Sequence, residues 1–209
     1  MKRLIAVVLF FFCLSLVCNA QEDNAGEKKI ALYVRGGLNI TNHIPMSYLT
    51  SDDTQEWCHA YNIGVTCDYR KTENFLMRTG VQYSAKGFKD VYVPYTHLNY
   101  LEMPVLAVFQ KPLGNLVNLE AQAGIYFAYG IGGERKEETA NGDGYIYNKS
   151  FKDNYNGRPT YKRFDWGWNV GAGINVGRVY IGCAYEVSAF FGKRHTNHCI
   201  MANLGFQIL

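Results

Sequence analysis

Between residues 29 and 208 the sequence alternates apolar and polar side chains with a period of two, and the helical period is missing. Tyr61, Ile63, Val65, Cys67 and Tyr69 interleave with Asn62, Gly64, Thr66 and Asp68. Trp166, Trp168, Val170, Ala172, Ile174 and Val176 oppose Asp165, Gly167, Asn169, Gly171, Gly173 and Asn175. Alternation of this kind puts one set of side chains on each face of a sheet. It recurs in eight segments, near 29–40, 59–70, 75–86, 97–111, 116–129, 164–176, 179–190 and 198–208. Each reaches the ~9–11 residues that a tilted strand needs to cross a bilayer.

The connections alternate too. Those at 71–74, 112–115 and 177–178 are tight turns, whereas those at 41–58, 87–96, 130–163 and 191–197 are longer. Short turns at one end and long loops at the other are the asymmetry of outer-membrane barrels. The expected fold is all-β: an eight-stranded antiparallel up-and-down transmembrane β-barrel over 29–209. An even strand number puts both termini on the short-turn side, the periplasm, and the long loops outside. Pro104 lacks an N–H for the ladder, so a bulge is expected there.

A water-soluble eight-stranded barrel would alternate as well, so the faces must be told apart. A solvent face carries Lys, Glu and Thr freely. Here the polar face holds Gly37, Gly64, Gly80, Gly124, Gly167, Gly171, Gly173, Gly182 and Gly205. Small residues suit a crowded narrow lumen and bring nothing to a solvent face. Aromatics on the apolar face fall near segment ends: Tyr61, Tyr83, Tyr129, Trp166 and Trp168 toward the long loops, and Tyr69, Phe75, Phe109 and Phe206 toward the short turns. Two belts are a membrane pattern, because amphipathic rings settle at headgroup level. Ordinary β-propensity would scatter them along the strands instead.

Composition excludes the main alternatives. A mean hydropathy of −0.17 rules out a polytopic helical membrane protein. A net charge of +3 without a Lys/Arg block argues against nucleic acid as a partner. The longest apolar run, Leu4–Val17, follows Lys2 and Arg3 and closes on Cys18-Asn19-Ala20. That is a secretory signal peptide over 1–20, too short to span a membrane. Without Lys2 and Arg3, the 21 basic residues against 18 acidic ones leave +1 for the remainder. Residues 21–28 then form a short periplasmic segment ahead of the barrel.

Three stretches carry a resemblance: Gly36-Gly37-Leu38-Asn39-Ile40; Arg78–Phe88 followed by Leu98–Val105; and Ala121-Gln122-Ala123-Gly124 with its aromatic run. Together they resemble the PorT-like outer-membrane β-barrel family, small eight-stranded proteins of Gram-negative bacteria. The resemblance covers nearly the whole chain after the signal. It implies fold and location and no catalytic residues; one branch of that family serves as an accessory to a protein-secretion system.

The lumen-facing charges are Arg35, Arg78, Lys86, Asp68, Glu102, Glu120 and Glu186. Buried charge is tolerable when paired, so these are expected to form a structural network that fills the lumen. An ion path is disfavoured, because eight strands leave an interior just wide enough for side chains. On this reading Glu102→Ala strands a buried cation, at a cost on the order of 3–5 kcal/mol. The histidines His43, His59, His97, His195 and His198 all fall on the long-loop side but in separate connections, so no metal site is expected. Cys58 and Cys199 lie near the outer rim about two strand spacings apart, long for a disulfide unless loops bend, while Cys67 and Cys183 face lipid as free thiols.

The stretch 130–163 holds seven Lys/Arg, five Asp/Glu and Tyr145, Tyr147, Phe151, Tyr155 and Tyr161. It is either a binding loop, a solvated loop or an extension of its flanking strands. No Gly-x-Ser-x-Gly elbow, phosphate loop or metalloprotease helix occurs, and His43, Ser47, Asp52 and Asp53 are too generic a set to claim as catalytic. The expected function is a non-enzymatic outer-membrane barrel with a filled lumen and a binding or structural role at its outer loops. Lipid is its surroundings, an extracellular ligand or envelope protein its partner, and a monomer its state; no cofactor is expected. The alternatives are an accessory component of a secretion or envelope machine and, behind it, a small porin.

Overall fold

The computed structural model describes residues 29–45, 56–89, 95–138, 144–151, 161–189 and 195–209. The expected signal peptide over 1–20 and the expected segment 21–28 lie outside them. So do Ser47, Asp52, Asp53 and Tyr155, and the side chains of His43 and His195.

Ten strands follow one another: β1 (Ile30–Pro45), β2 (Glu56–Arg70), β3 (Phe75–Lys89), β4 (Tyr95–Pro112), β5 (Val117–Gly132), β6 (Glu134–Glu138), β7 (Tyr145–Lys149), β8 (Phe164–Val176), β9 (Val179–Ser188) and β10 (His195–Gln207). Eight of them close a barrel in the order β3-β2-β1-β10-β9-β8-β5-β4, sealed by β3 against β4, with every pair antiparallel. First and last strands pair along thirteen residues, from Tyr33 opposite Gln207 to Pro45 opposite His195. The tight turns and both strand ends gather at one rim, where Arg70 N donates to Lys29 O, Gln110 N to Asn74 O and Gln207 N to Arg178 O.

Sidedness is the reverse of a water-soluble protein. Leu38 is 69% exposed and Ile63 56%, with Val65, Met77, Val81, Leu101, Val170, Ile174, Ile181 and Leu204 similarly outward. Arg35, Asp68, Arg78, Lys86, Glu102, Glu120 and Glu186 are buried. Each large aliphatic side chain left in water forgoes about 1.5–3 kcal/mol of transfer free energy, so a ring of them requires an apolar surround. Trp168 and Val170 point outward as well, as a transmembrane barrel demands.

The glycines of the inner face do packing work. A Cβ at Gly173 would lie 2.5 Å from the Tyr180 ring, and one at Gly182 2.2 Å from its hydroxyl. Tyr180 therefore lies flat on two glycines, one on β8 and one on β9, and its other face is free for Arg35. At Gly133, where β5 passes into β6, φ is +150° and a Cβ would stand 2.2 Å from the His97 carbonyl oxygen.

Two sequence expectations need adjusting. No bulge sits at Pro104: it stays opposite Tyr126 on β5, and the β3 ladder is interrupted there without a change of register, Thr79 facing Val105 and Gln82 facing Glu102. Proline withholds one N–H and the strands carry on. The register shifts instead between Trp57 and Asn62 on β2 and at Asn99–Tyr100 on β4, both toward the long-connection rim. Finally, β1 to β5 and β10 run a few residues past the alternating segments at that rim, and 130–163 contains the end of β5 and the hairpin β6–β7. Strand pairing there continues beyond the apolar band, in sequence too polar to alternate.

Candidate functional site

The inner face carries two charge clusters. In the lower one, nearer the short turns, Arg78 grips Asp68 with both arms of its guanidinium, Nε to Oδ1 and Nη2 to Oδ2, each at 2.7 Å. The same Nη2 reaches Glu120 at 3.0 Å, and Nη1 donates to Gln122 at 2.9 Å. Glu120 accepts further hydrogen bonds from Gln110 and Asn175. Arg35 stands 3.8 Å from Asp68 and lays its guanidinium over the Tyr180 ring at 3.8 Å, with the Tyr33 ring at 4.9 Å. Two cations thus meet two carboxylates, and stacking on aromatic faces replaces part of Arg35's hydration.

In the upper cluster Lys86 lies between two carboxylates, Glu102 at 2.6 Å and Glu186 at 3.0 Å, above the Tyr126 ring. Gln82 donates to Glu102 and Asn169 to Glu186. Gln122 donates to Asn169 at 3.0 Å and so ties the clusters into one network. Among the expected lumen residues, Arg78 and Glu120 are brought together directly, Arg35 joins them through Asp68, and Glu102 and Glu186 meet through Lys86. The sequence expectation for Glu102 needs correction: its loss does not strand Lys86, which keeps Glu186.

A further set was not anticipated. Asp165 accepts from Ser188 at 2.7 Å, from Asn197 at 2.9 Å and from the Trp166 amide. Leu98, Tyr100, Tyr126, Ala128 and Phe151 pack as an apolar plug at this level, and Gly130 leaves room for the Phe151 ring. The only sequence signal was position: Asp165 and Ser188 fall on the polar phase of their strands. These layers occupy the lumen at their levels among the described residues, and at the short-turn rim lies a recess of about 100 Å³ among Tyr33, Asp68, Arg70 and Gln207. Purified barrel in a planar bilayer is expected to give no steady channel. Large ohmic steps from the wild type would contradict it.

The outward aromatics divide by height. Phe75 lies opposite Phe109 near the short-turn rim, where Tyr69 and Phe206 also face out. Tyr61, Tyr129 and Trp168 are exposed toward the other rim with Tyr83 and Trp166 half-buried beside them, and the Tyr61 and Tyr83 rings sit 5.5 Å apart.

Among the described residues histidines and cysteines form no centre. His97 abuts the Tyr95 ring, and His198 shares a hydrogen bond with the Tyr185 hydroxyl. Among the described residues no three His, Cys, Asp or Glu side chains converge on a point. Thr41 stands opposite Cys58 on β2 and opposite Cys199 on β10, which keeps them about 10 Å apart in the sheet. All four described cysteines are free thiols.

At the long-connection rim the outward face of β4, β6 and β7 forms a cleft of about 750 Å³. Register sets its rows: Tyr95 faces Lys136, which faces Tyr147; Glu134 faces Lys149; and Ala85, Asn99 and Gly132 lie in line. Tyr61, Tyr83, His97, Phe151 and Arg163 also line it. Lys136 was not singled out by the sequence, because only the β4–β6 pairing brings it beside Tyr95.

Comparison with known proteins gives one family match. The outer membrane protein beta-barrel domain matches residues 19–192. No curated protein matches the chain. Among solved structures, the attachment invasion locus protein Ail of Yersinia pestis is similar at 14% identity and a TM-score of 0.46, over 85% of this chain and 98% of that one. OprG from Pseudomonas aeruginosa is similar at 10% identity and 0.46, over 88% and 98%. Neisserial surface protein A is similar at 12% identity and 0.44, over 84% and 96%. On the family match, and with a closed barrel of apolar exterior, this chain belongs to the outer membrane protein beta-barrel domain family and is an outer-membrane β-barrel protein.

Proposed function

We propose that the protein is a non-enzymatic barrel, monomeric and closed by its own lumen side chains, that works through contacts at its outer end. The observation that carries this is the unequal build of the two rims. One rim has tight turns and a recess of about 100 Å³, while the other rises into the β6–β7 hairpin and a cleft of about 750 Å³. On this reading the short turns and both termini are periplasmic and the hairpin faces outward. The two aromatic levels then mark the two membrane interfaces. Tyr61 and Tyr69 are eight residues apart on β2, about 27 Å along a strand and about 20 Å once tilted, close to the apolar height of such barrels. Rigid walls supporting an aromatic, charged rim suit recognition, since loops and rims on a fixed scaffold are where binding residues collect.

The test is cross-linking in intact cells, with identification of what co-purifies, repeated with residues 134–149 replaced by a short Gly/Ser link. Loss of partners from a barrel that still inserts is expected. Retention of every partner would overturn the outward reading in favour of a periplasmic accessory role of the PorT-like kind.

A further inference from the structure

We infer that the cleft at the outer rim holds the headgroup of a phosphorylated glycolipid whose acyl chains lie on the barrel wall below it. The inference rests on the outward orientation proposed above and goes further by naming the ligand class.

The first argument is access. Tyr83, Tyr95, Asn99, Lys136 and Tyr147 stand on the outward phase of their strands, the side that continues downward as Ile63, Val65, Val81 and Leu101. The cleft therefore opens to the lipid side of the wall. An occupant that fits both parts has a polar head above and hydrocarbon beneath.

The second argument is charge. Lys136, Lys149 and Arg163 line the cleft against a single carboxylate, Glu134. Among the described residues none of these three cations makes an ion pair with a carboxylate, and Arg163 donates to the backbone carbonyls of Gly130 and Phe151. The Lys136 ammonium rests on the Tyr145 ring at 3.7 Å, which holds it at the rim with no ion pair to a described carboxylate. Lysine and arginine in this density suit phosphate oxygens.

The third argument is shape. Tyrosine rings at Tyr61, Tyr83, Tyr95 and Tyr147 offer flat apolar faces with hydroxyls at their edges, suited to the alternating C–H and O–H surface of a sugar. A volume of about 750 Å³ accommodates a disaccharide carrying phosphates. Gly132 keeps that space open, because a Cβ there would meet nothing within 4 Å.

That open position supplies the decisive variant. Gly132→Trp projects a ring into the cleft from a position where a Cβ meets nothing within 4 Å, and Lys136→Gln with Lys149→Gln removes two of its three cations. A control pair, Lys71→Gln with Lys111→Gln, removes as much charge from the exposed short-turn rim. Full-length barrels, each checked for folding by heat-modifiable gel mobility, would be reconstituted in phosphatidylcholine vesicles containing a minor fraction of an acylated bisphosphorylated glucosamine disaccharide. Retained lipid would be read by native mass spectrometry. The wild type and the control pair are expected to retain the glycolipid selectively, whereas Gly132→Trp should lose that retention and the lysine pair should retain about thirtyfold less, the scale set by ~1 kcal/mol for each of two basic residues at a charged membrane surface.

Three outcomes would overturn the inference. They are undiminished retention by Gly132→Trp, an equal loss in the control pair, or equally tight binding of the deacylated disaccharide bisphosphate, which would make the ligand a free oligosaccharide. None of these bears on hairpin-dependent partner capture in cells, so this inference and the outward reading can fail separately.

Discussion

Arg78→Met is expected to lower the stability of the refolded barrel by about 3–5 kcal/mol, the cost of leaving buried carboxylates without their cation. Arg78 is 2% exposed and satisfies Asp68 through two hydrogen bonds and Glu120 through a third contact. Methionine keeps most of the volume and removes the charge, so the deficit is electrostatic and not a cavity. Arg35 does not take over: it stands 3.8 Å from Asp68 and is committed to the Tyr180 face. Urea unfolding in detergent or vesicles checks this, and a loss below about 1 kcal/mol would refute it. A double variant that also carries Glu120→Gln should recover most of the loss, because Arg35 and Asp68 then remain as a matched pair. Such recovery would separate stranded charge from lost packing.

Lys86→Met should be comparably costly, because two carboxylates lose their shared cation at once. Glu102 and Glu186 are fully buried and both face Lys86. Glu102→Gln should by contrast be nearly neutral, since Lys86 keeps Glu186 and Gln82 still has an acceptor. The ordering Lys86→Met far worse than Glu102→Gln is the measurable claim, again by urea unfolding. Equal losses would mean that the cluster acts by packing alone.

The inward or outward direction of each residue was legible in the sequence because a strand offers two phases and nothing else. Ile63 and Val170 could only be outside once Asp68 and Asn169 were inside. Partnership was not legible. Lys86 and Glu186 are 100 positions apart and meet across the lumen, so their contact depends on the stagger of all eight strands. Alternation says nothing of stagger. Pro104 misled for a related reason: a missing N–H signals a lost hydrogen bond, and only the neighbouring strand decides whether register slips as well. The rim cleft escaped because it needs the β4–β6 pairing, and β6 reads Glu-Arg-Lys-Glu-Glu, with no apolar phase to follow.

The pairing of β1 with β10 also governs the order of assembly. The strand made first waits for the strand made last, so until β10 arrives both β1 and β9 present open edges, with unpaired N–H and C=O groups along their length. The hairpins β2–β3, β4–β5 and β8–β9 span short loops and close cheaply, whereas the final seam joins residues 150 to 174 positions apart, from Pro45 and His195 to Tyr33 and Gln207. Closure is thus a late, all-or-none event. Arg78–Asp68 and Lys86–Glu102 join neighbouring strands and form as those strands pair, whereas Lys86–Glu186 crosses the lumen from β3 to β9 and is completed only when the wall closes.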